Sequence, residues 1–290
     1  MVKRIIKYVG LAVILYLIYL AVCLLVPPLF HKTTDTAARE AFYTAKTEEG
    51  GFEKERARSV DTNLEALLWR LRLVEEAKET LVLTTFDFRD ESGGQDMMAA
   101  LWNAANRGVK VQILVDGINA GLFLSGSDNF RQLACHENVE ARFYNPINFL
   151  TPWKINYRMH DKYLIADDWG YILGGRNTDN RFLGCYEEFY NEDRDILVYE
   201  TVPGKGESLC QLQNYFDRIW NLPDSKLCRK TGKGGNLDAH YEQLKKRYPE
   251  AFTPTDWESE TTETNRIELC TNSVEPKNKE PWIWDRMIEE

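Results

Sequence analysis

Between Met159 and Asn177 the sequence reads MHDKYLIADDWGYILGGRN, and no other stretch so narrows what the chain can fold into. Tyr163 to Ala166 is an apolar run bounded by charged residues, the pattern of a buried strand. Side chains two apart on a strand share a face, so His160 and Lys162 point to one side. A second apolar run, Tyr171 to Leu173, leads into Gly174 and Gly175, a pair that permits a turn with close backbone approach. That turn folds Asn177 back beside His160. An imidazole, an ammonium and a carboxamide brought together make a receptor for an anionic, tetrahedral group. Taken singly, His160 would pass for a structural histidine and Lys162 for a solvated charge. The signal lies in the common register of His160, Lys162, Asp167, Gly174, Gly175 and Asn177, H-x-K-x4-D-x6-G-G-x-N.

The flanks predict a layered α/β domain. Asp61 or Thr62 caps a helix that runs to Lys78, with Leu64, Leu67, Leu68, Leu71 and Val74 on one stripe. Leu81 to Phe88 follows as a strand, Gly93-Gly94 turns the chain into a helix from Gln95 to Asn106, and Val109 to Val115 is again a strand. Ser125 to Leu133 reads as a helix and Val139 to Phe143 as a short strand. Asn145 to Tyr157 is an aromatic loop just upstream of His160, either packing or a wall of a substrate cleft. Downstream, Asp195 to Tyr199 is a strand and Leu209 to Trp220 a helix. Strand–helix–strand succession of this kind builds a parallel or mixed sheet flanked by helices.

The six-position pattern resembles the HKD signature of the phospholipase D superfamily, Gly-Gly-x-Asn extension included. The order of elements from about Asp61 to Trp220 is similar to a lobe of that family, and a cardiolipin synthase-like member fits best. The resemblance implies a phosphodiesterase or phosphatidyltransferase working through a phosphohistidine. His160 is then the nucleophile, or the general acid if a partner histidine attacks. Lys162 and Asn177 hold the phosphoryl oxygens, and Gly174 and Gly175 shape the backbone around the substrate. Asp167, at the far end of the strand, takes a supporting structural role. Asp195, by its position after the motif, is the candidate carboxylate that orients His160. No metal or other cofactor is called for, since lysine and asparagine supply the electrostatics.

Tyr8 to Phe30 carries no charge, and the 19 residues from Tyr8 to Val26 precede Pro27-Pro28. At ~1.5 Å per residue that length approaches the ~30 Å hydrocarbon core of a bilayer. Lys3, Arg4 and Lys7 before it place the N-terminus in the cytoplasm and the catalytic domain outside, as a single-pass protein of the cell membrane. An uncleaved anchor is preferred over a signal peptide because no small-x-small site follows. The net charge of −9 is uneven: Glu250 to Glu290 holds 11 acidic and 4 basic residues, leaving about −2 for the rest. The anchor favours phospholipid as a partner, and the missing basic stripe disfavours nucleic acid. A homodimeric nuclease of the family and an inactive membrane-tethered scaffold remain the alternative functions. The cysteines, irregularly spaced, give neither a disulfide framework nor a zinc pattern.

The expected organisation is an anchor over 1–30, a polar stalk over 31–60, the lobe over 61–247, an acidic linker over 248–265 and the opening of a second lobe over 266–290. The last rests on PWIWDRMIEE, which resembles LLWRLRLVEEAK at Leu67 to Lys78. Of the four histidines only His160 has a lysine two residues on. The family's chemistry needs two such pairs, so the partner is a second HKD lobe in cis or a second copy of the chain.

Overall fold

In a computed structural model the described residues are 2–26, 53–228, 234–265, 267–272 and 282–289. They fall into two compact units. The smaller comprises Met1–Phe42, Ile147–Arg158 and Cys270–Glu290. In it Val2–Leu25 forms one unbroken apolar helix, α1, long enough to cross a membrane.

The larger unit, Tyr43–Pro146 with Met159–Leu269, is the lobe. Strand β1 (Glu55–Val60) leads into helix α2 (Asn63–Glu76). Thr62 caps that helix in a reciprocal box: its Oγ1 accepts from the Glu65 N–H at 3.2 Å, and the Glu65 carboxylate accepts from the Thr62 N–H at 3.2 Å. Then come β2 (Thr80–Thr85), α3 (Ser92–Asn106), β3 (Lys110–Asp116), α4 (Asp128–Ala134) and β4 (Val139–Tyr144). The hairpin β5 (Tyr163–Ala166) and β6 (Gly170–Gly174) is followed by β7 (Asp195–Glu200) and α5 (Glu207–Trp220). Short β8 (Ser225–Leu227), α6 (Leu237–Arg247) and β9 (Thr262–Glu263) complete the unit.

These strands form one mixed sheet in the order β8-β4-β3-β2-β5-β6-β7-β1-β9. The pairs β2/β3 and β3/β4 are parallel, as strand–helix–strand units require, and the others are antiparallel. Since β5 runs against β2, with Tyr163 opposite Thr84, residues just before β5 lie where β2 and β3 end. The end of β6 and the start of β7 reach the same edge, because Gly174 pairs with Asp195. Topology alone therefore gathers Phe86, Asp116, His160, Lys162, Gly174 and Asp195 on one rim of the sheet. The core beneath it, including Leu67, Leu83, Met97, Leu101, Ile113 and Leu164, is buried.

Three expectations are corrected. Glu55–Val60, placed in the polar stalk, is an inner strand paired with β7 on one side and β9 on the other. ERARSV has no apolar run, and its polar groups are met by distant chain: Arg56 donates to the Thr261 carbonyl at 2.7 Å, and Arg58 to the Glu260 carboxylate at 2.7 Å. The remaining stalk residues, 31–52, lie outside the described residues. The stretch 248–265, expected as a linker, is folded onto the lobe. Trp257 is buried against Trp69, Trp169 and Tyr199, and its Nε1–H donates to Glu76 at 2.7 Å. One tryptophan anchors what composition marks as linker. Finally, Gly93 and Gly94 lie inside the first turn of α3; a Cβ on Gly94 would strike the Arg89 carbonyl. Trp282–Glu289 is helix α7.

Glu55 and Glu200 face each other across β1 and β7, both buried. The Glu55 carboxylate accepts from the Ser208 N–H and hydroxyl at the start of α5. Glu200 accepts from the Gly206 N–H at 2.7 Å, while its Oε1 has no partner among the described residues. Burial first, and the neighbouring Glu55 charge after it, push the Glu200 pKa up to about 8. The folded state then holds a proton that the unfolded chain releases near pH 4.5, so stability falls as pH rises from about 4.5 to about 8. Glu200→Gln is expected to remove that fall and to be more stable than the natural chain at pH 9 by roughly 5 kcal/mol. Urea unfolding at pH 5, 7 and 9 measures it; parallel curves for the two proteins would contradict a protonated Glu200.

Candidate active site

His160 is exposed, with its ring edge against Phe86 at 4.8 Å between centroids. The residue before it is fastened to the sheet edge: the Met159 N–H donates to Asp116 Oδ2 at 3.3 Å, while Asp116 Oδ1 accepts from the Ile118 N–H at 3.0 Å. Partial burial first, and the Lys162 charge second, lower the His160 pKa; Asp161 and Asp116 oppose them. The lowered pKa favours the neutral imidazole, the form that can attack phosphorus.

Lys162 is buried, and its ammonium donates to the His160 carbonyl at 2.6 Å with the Phe86 ring 5.4 Å away. Burial pushes its pKa down to about 8, against the pull of Asp161 and Asp193. The Gly174 N–H donates to the Lys162 carbonyl at 3.2 Å, which carries the hairpin register one pair beyond β5 and sets the glycines beside the lysine. Asn177 is buried, and its Oδ1 accepts from the Asp87 N–H at 3.2 Å. A backbone N–H can only donate, so the amide oxygen is committed as acceptor and the NH2 end carries the side chain's donors.

Gly174 and Gly175 are needed for close approach rather than for a left-handed turn, and neither has positive φ. A Cβ on Gly174 would fall within the Asp195 carboxylate, and one on Gly175 within that of Asp193. Asp167 sits at the opposite sheet edge with φ 48°. Its carboxylate accepts from the N–H groups of Lys78, Glu79 and Thr80 at 2.9, 2.8 and 2.7 Å, closing the entry to β2.

Asp195 is a correction. Instead of steering His160 it is wholly buried between two guanidiniums, with Arg70 Nη1 at 2.9 Å and Arg176 Nη1 at 3.4 Å. Arg176, the unread x of G-G-x-N, is itself buried and donates to Asn63 Oδ1 at 3.0 Å, the Val60 carbonyl at 3.1 Å and the Asp61 carbonyl at 2.7 Å. It ties the glycine pair to the start of α2. Sequence reasoning also missed Phe86, Asp87 and Arg181. Asp87 presents its N–H to Asn177 and holds Arg89 and Arg181 at 2.7 and 2.8 Å. Only strand-end position marks Phe86 and Asp87, and nothing local marks Arg181. Of the other histidines, His136 pairs with Asn106 at 3.1 Å, at the start of β4 and the far end of the sheet; His240 lies in α6. His31 lies outside the described residues.

The family profile described as "Cardiolipin synthase, PLD-like domain" matches residues 71–220. Cardiolipin synthase C of Escherichia coli (strain K12) is 34% identical over 153 residues, 49% of this chain and 32% of that protein. A cardiolipin synthase of Oceanobacillus iheyensis is 30% identical over 191 residues, 60% of this chain and 38% of that one. The chain thus spans about a third of the length of the curated relatives it matches. Among solved structures, phosphatidylserine synthase of Haemophilus influenzae Rd KW20 aligns with a TM-score of 0.49 at 14% identity, over 81% of this chain and 51% of that one.

Proposed function

The chain belongs to the phospholipase D superfamily, in the family described as cardiolipin synthase, PLD-like domain, and from that premise we propose that it carries half of a phosphatidyltransferase site acting on membrane phospholipid. The observation that supports this most is the juxtaposition at one sheet edge of an exposed His160 with a lowered pKa, a buried Lys162 and the donor end of Asn177. The imidazole nitrogen attacks phosphorus, a P–N bond forms, and the P–O bond to the leaving alcohol breaks. Lys162 and Asn177 hold the non-bridging oxygens as charge builds there. An acceptor hydroxyl then attacks the phosphohistidine, and the P–N bond breaks. The leaving alkoxide needs a proton from a second acid, the role assigned to a second histidine from another lobe or another copy. Helix α1 is the membrane anchor in this proposal, with the N-terminus cytoplasmic and the lobe outside.

Labelled phosphatidylglycerol given to the purified protein, with the lipid products resolved, tests the reaction. Cardiolipin and released glycerol support transfer, phosphatidic acid supports hydrolysis, and unchanged substrate from a preparation that holds both HKD histidines, as a homodimer or with a second lobe, would reject the proposal. Light scattering on the same sample tells the source of the second histidine: turnover by a dimer assigns it to a second copy.

The two shifted groups also set a pH profile. Attack needs neutral His160, so kcat/KM is expected to rise through a pKa below 6.5. Stabilisation needs protonated Lys162, so it falls again as pH passes about 8. Lys162→Arg should carry the alkaline limb to higher pH, at reduced rate, while leaving the acid limb in place; an unmoved alkaline limb would detach it from Lys162.

A further inference from the structure

Within the smaller unit, Ile147–Arg158 lies along α1, and two hydrogen bonds fix where. Asn156 Nδ2 donates to the Leu24 carbonyl at 3.1 Å, satisfying one of the backbone acceptors that every helix leaves open at its C-terminus. The Tyr16 hydroxyl donates to the Phe149 carbonyl at 3.0 Å. Tyr16 and Leu24 are eight residues apart, roughly 12 Å along the axis, so the segment reaches from the end of α1 about two turns back along it. The α1 helix is itself about 36 Å long, close to a ~30 Å hydrocarbon core, so Phe149 falls at the level of acyl chains.

The composition of the segment agrees. Phe149 is 74% and Leu150 85% exposed, and Ile147, Trp153 and Ile155 are exposed beside them. Its only charged residues, Lys154 and Arg158, are both basic, in a chain whose net charge is −9. Large apolar side chains facing outward, a tryptophan, and cations with no acid among them suit the boundary of an anionic leaflet. Irregular backbone survives at that depth only where its polar groups find protein partners, which Tyr16 supplies to Phe149.

We propose that Ile147–Arg158 is a re-entrant lip seated in the phospholipid leaflet, with Phe149 and Leu150 among the acyl chains and Lys154 and Arg158 at the phosphates. In sequence, Arg158 is separated from His160 only by Met159. The insertion rests on α1 crossing the membrane as proposed above.

The full chain is reconstituted in vesicles of phosphatidylglycerol and phosphatidylcholine, with a photoreactive benzoylphenylalanine replacing Leu150 or, separately, Leu17 of α1. On irradiation, an adduct of phospholipid mass is expected at both positions, and phosphatidylglycerol is expected to be enriched over its share of the vesicle. A lipid adduct at Leu17 with none at Leu150, or with a protein adduct there, overturns the lip and leaves the anchor standing. Loss of both adducts overturns the membrane span itself. Tyr16→Phe, which removes the tether but leaves the helix apolar, is expected to cut the Leu150 adduct severalfold with Leu17 unchanged; an undiminished yield would deny that this bond seats the loop.

Discussion

His160→Ala is expected to lower phosphatidyl transfer by at least ~10⁴-fold, to background, while leaving thermal unfolding where it was. Its side chain is exposed and its main structural neighbour is the edge of Phe86, so little packing is lost. Lys162→Ala is expected to cost on the order of 10² to 10³-fold, the usual effect of losing one preorganised donor to a developing oxyanion. The two losses should differ in kind as well as size. Without His160 no P–N bond can form, so acid-labile phosphoprotein from labelled substrate disappears; without Lys162 it should still form, slowly. Labelling with ³²P-phosphatidylglycerol separates the cases, and trapped phosphohistidine in His160→Ala would move the nucleophile elsewhere.

The second large effect is on stability. Removing the Asp195 carboxylate leaves the Arg70 and Arg176 guanidiniums buried without a counter-charge. Asp195→Ala is expected to destabilise the lobe by about 3–5 kcal/mol, lowering the melting temperature by on the order of 10 °C. Arg176→Ala should do comparable harm, since it also abandons the Val60 and Asp61 carbonyls and Asn63. Asp195→Asn separates this role from steering of His160. A structural role predicts a lower melting temperature with the acid limb of kcat/KM unmoved. Normal stability with a displaced acid limb would restore Asp195 as the orienting carboxylate, and wild-type behaviour in both would deny it either part.

Much of the site was legible because its parts are local. The apolar runs of β5 and β6 and the glycine pair lie within 19 residues, where period and turn chemistry operate without help. The capping box at Thr62 and Glu65 is local in the same way. So are the helix stripe it opens and the unbroken apolar run of α1.

What only the tertiary structure decided depends on partners far along the chain. Arg70 meets Asp195 across 125 residues, and nothing near either position marks them as a pair. ERARSV became an inner strand because β7 and β9 offered it hydrogen-bonding edges, although its own sequence has no strand alternation. Trp257 turned a polar, acidic stretch into packed structure by finding Trp69, Trp169 and Tyr199. The pKa values of His160, Lys162 and Glu200 moved for the same reason, since burial is a property of the assembled sheet. Residue identity and spacing thus name the chemistry and the local elements. The charge state and support of the site come from whatever the fold packs against it, which no short window of sequence contains.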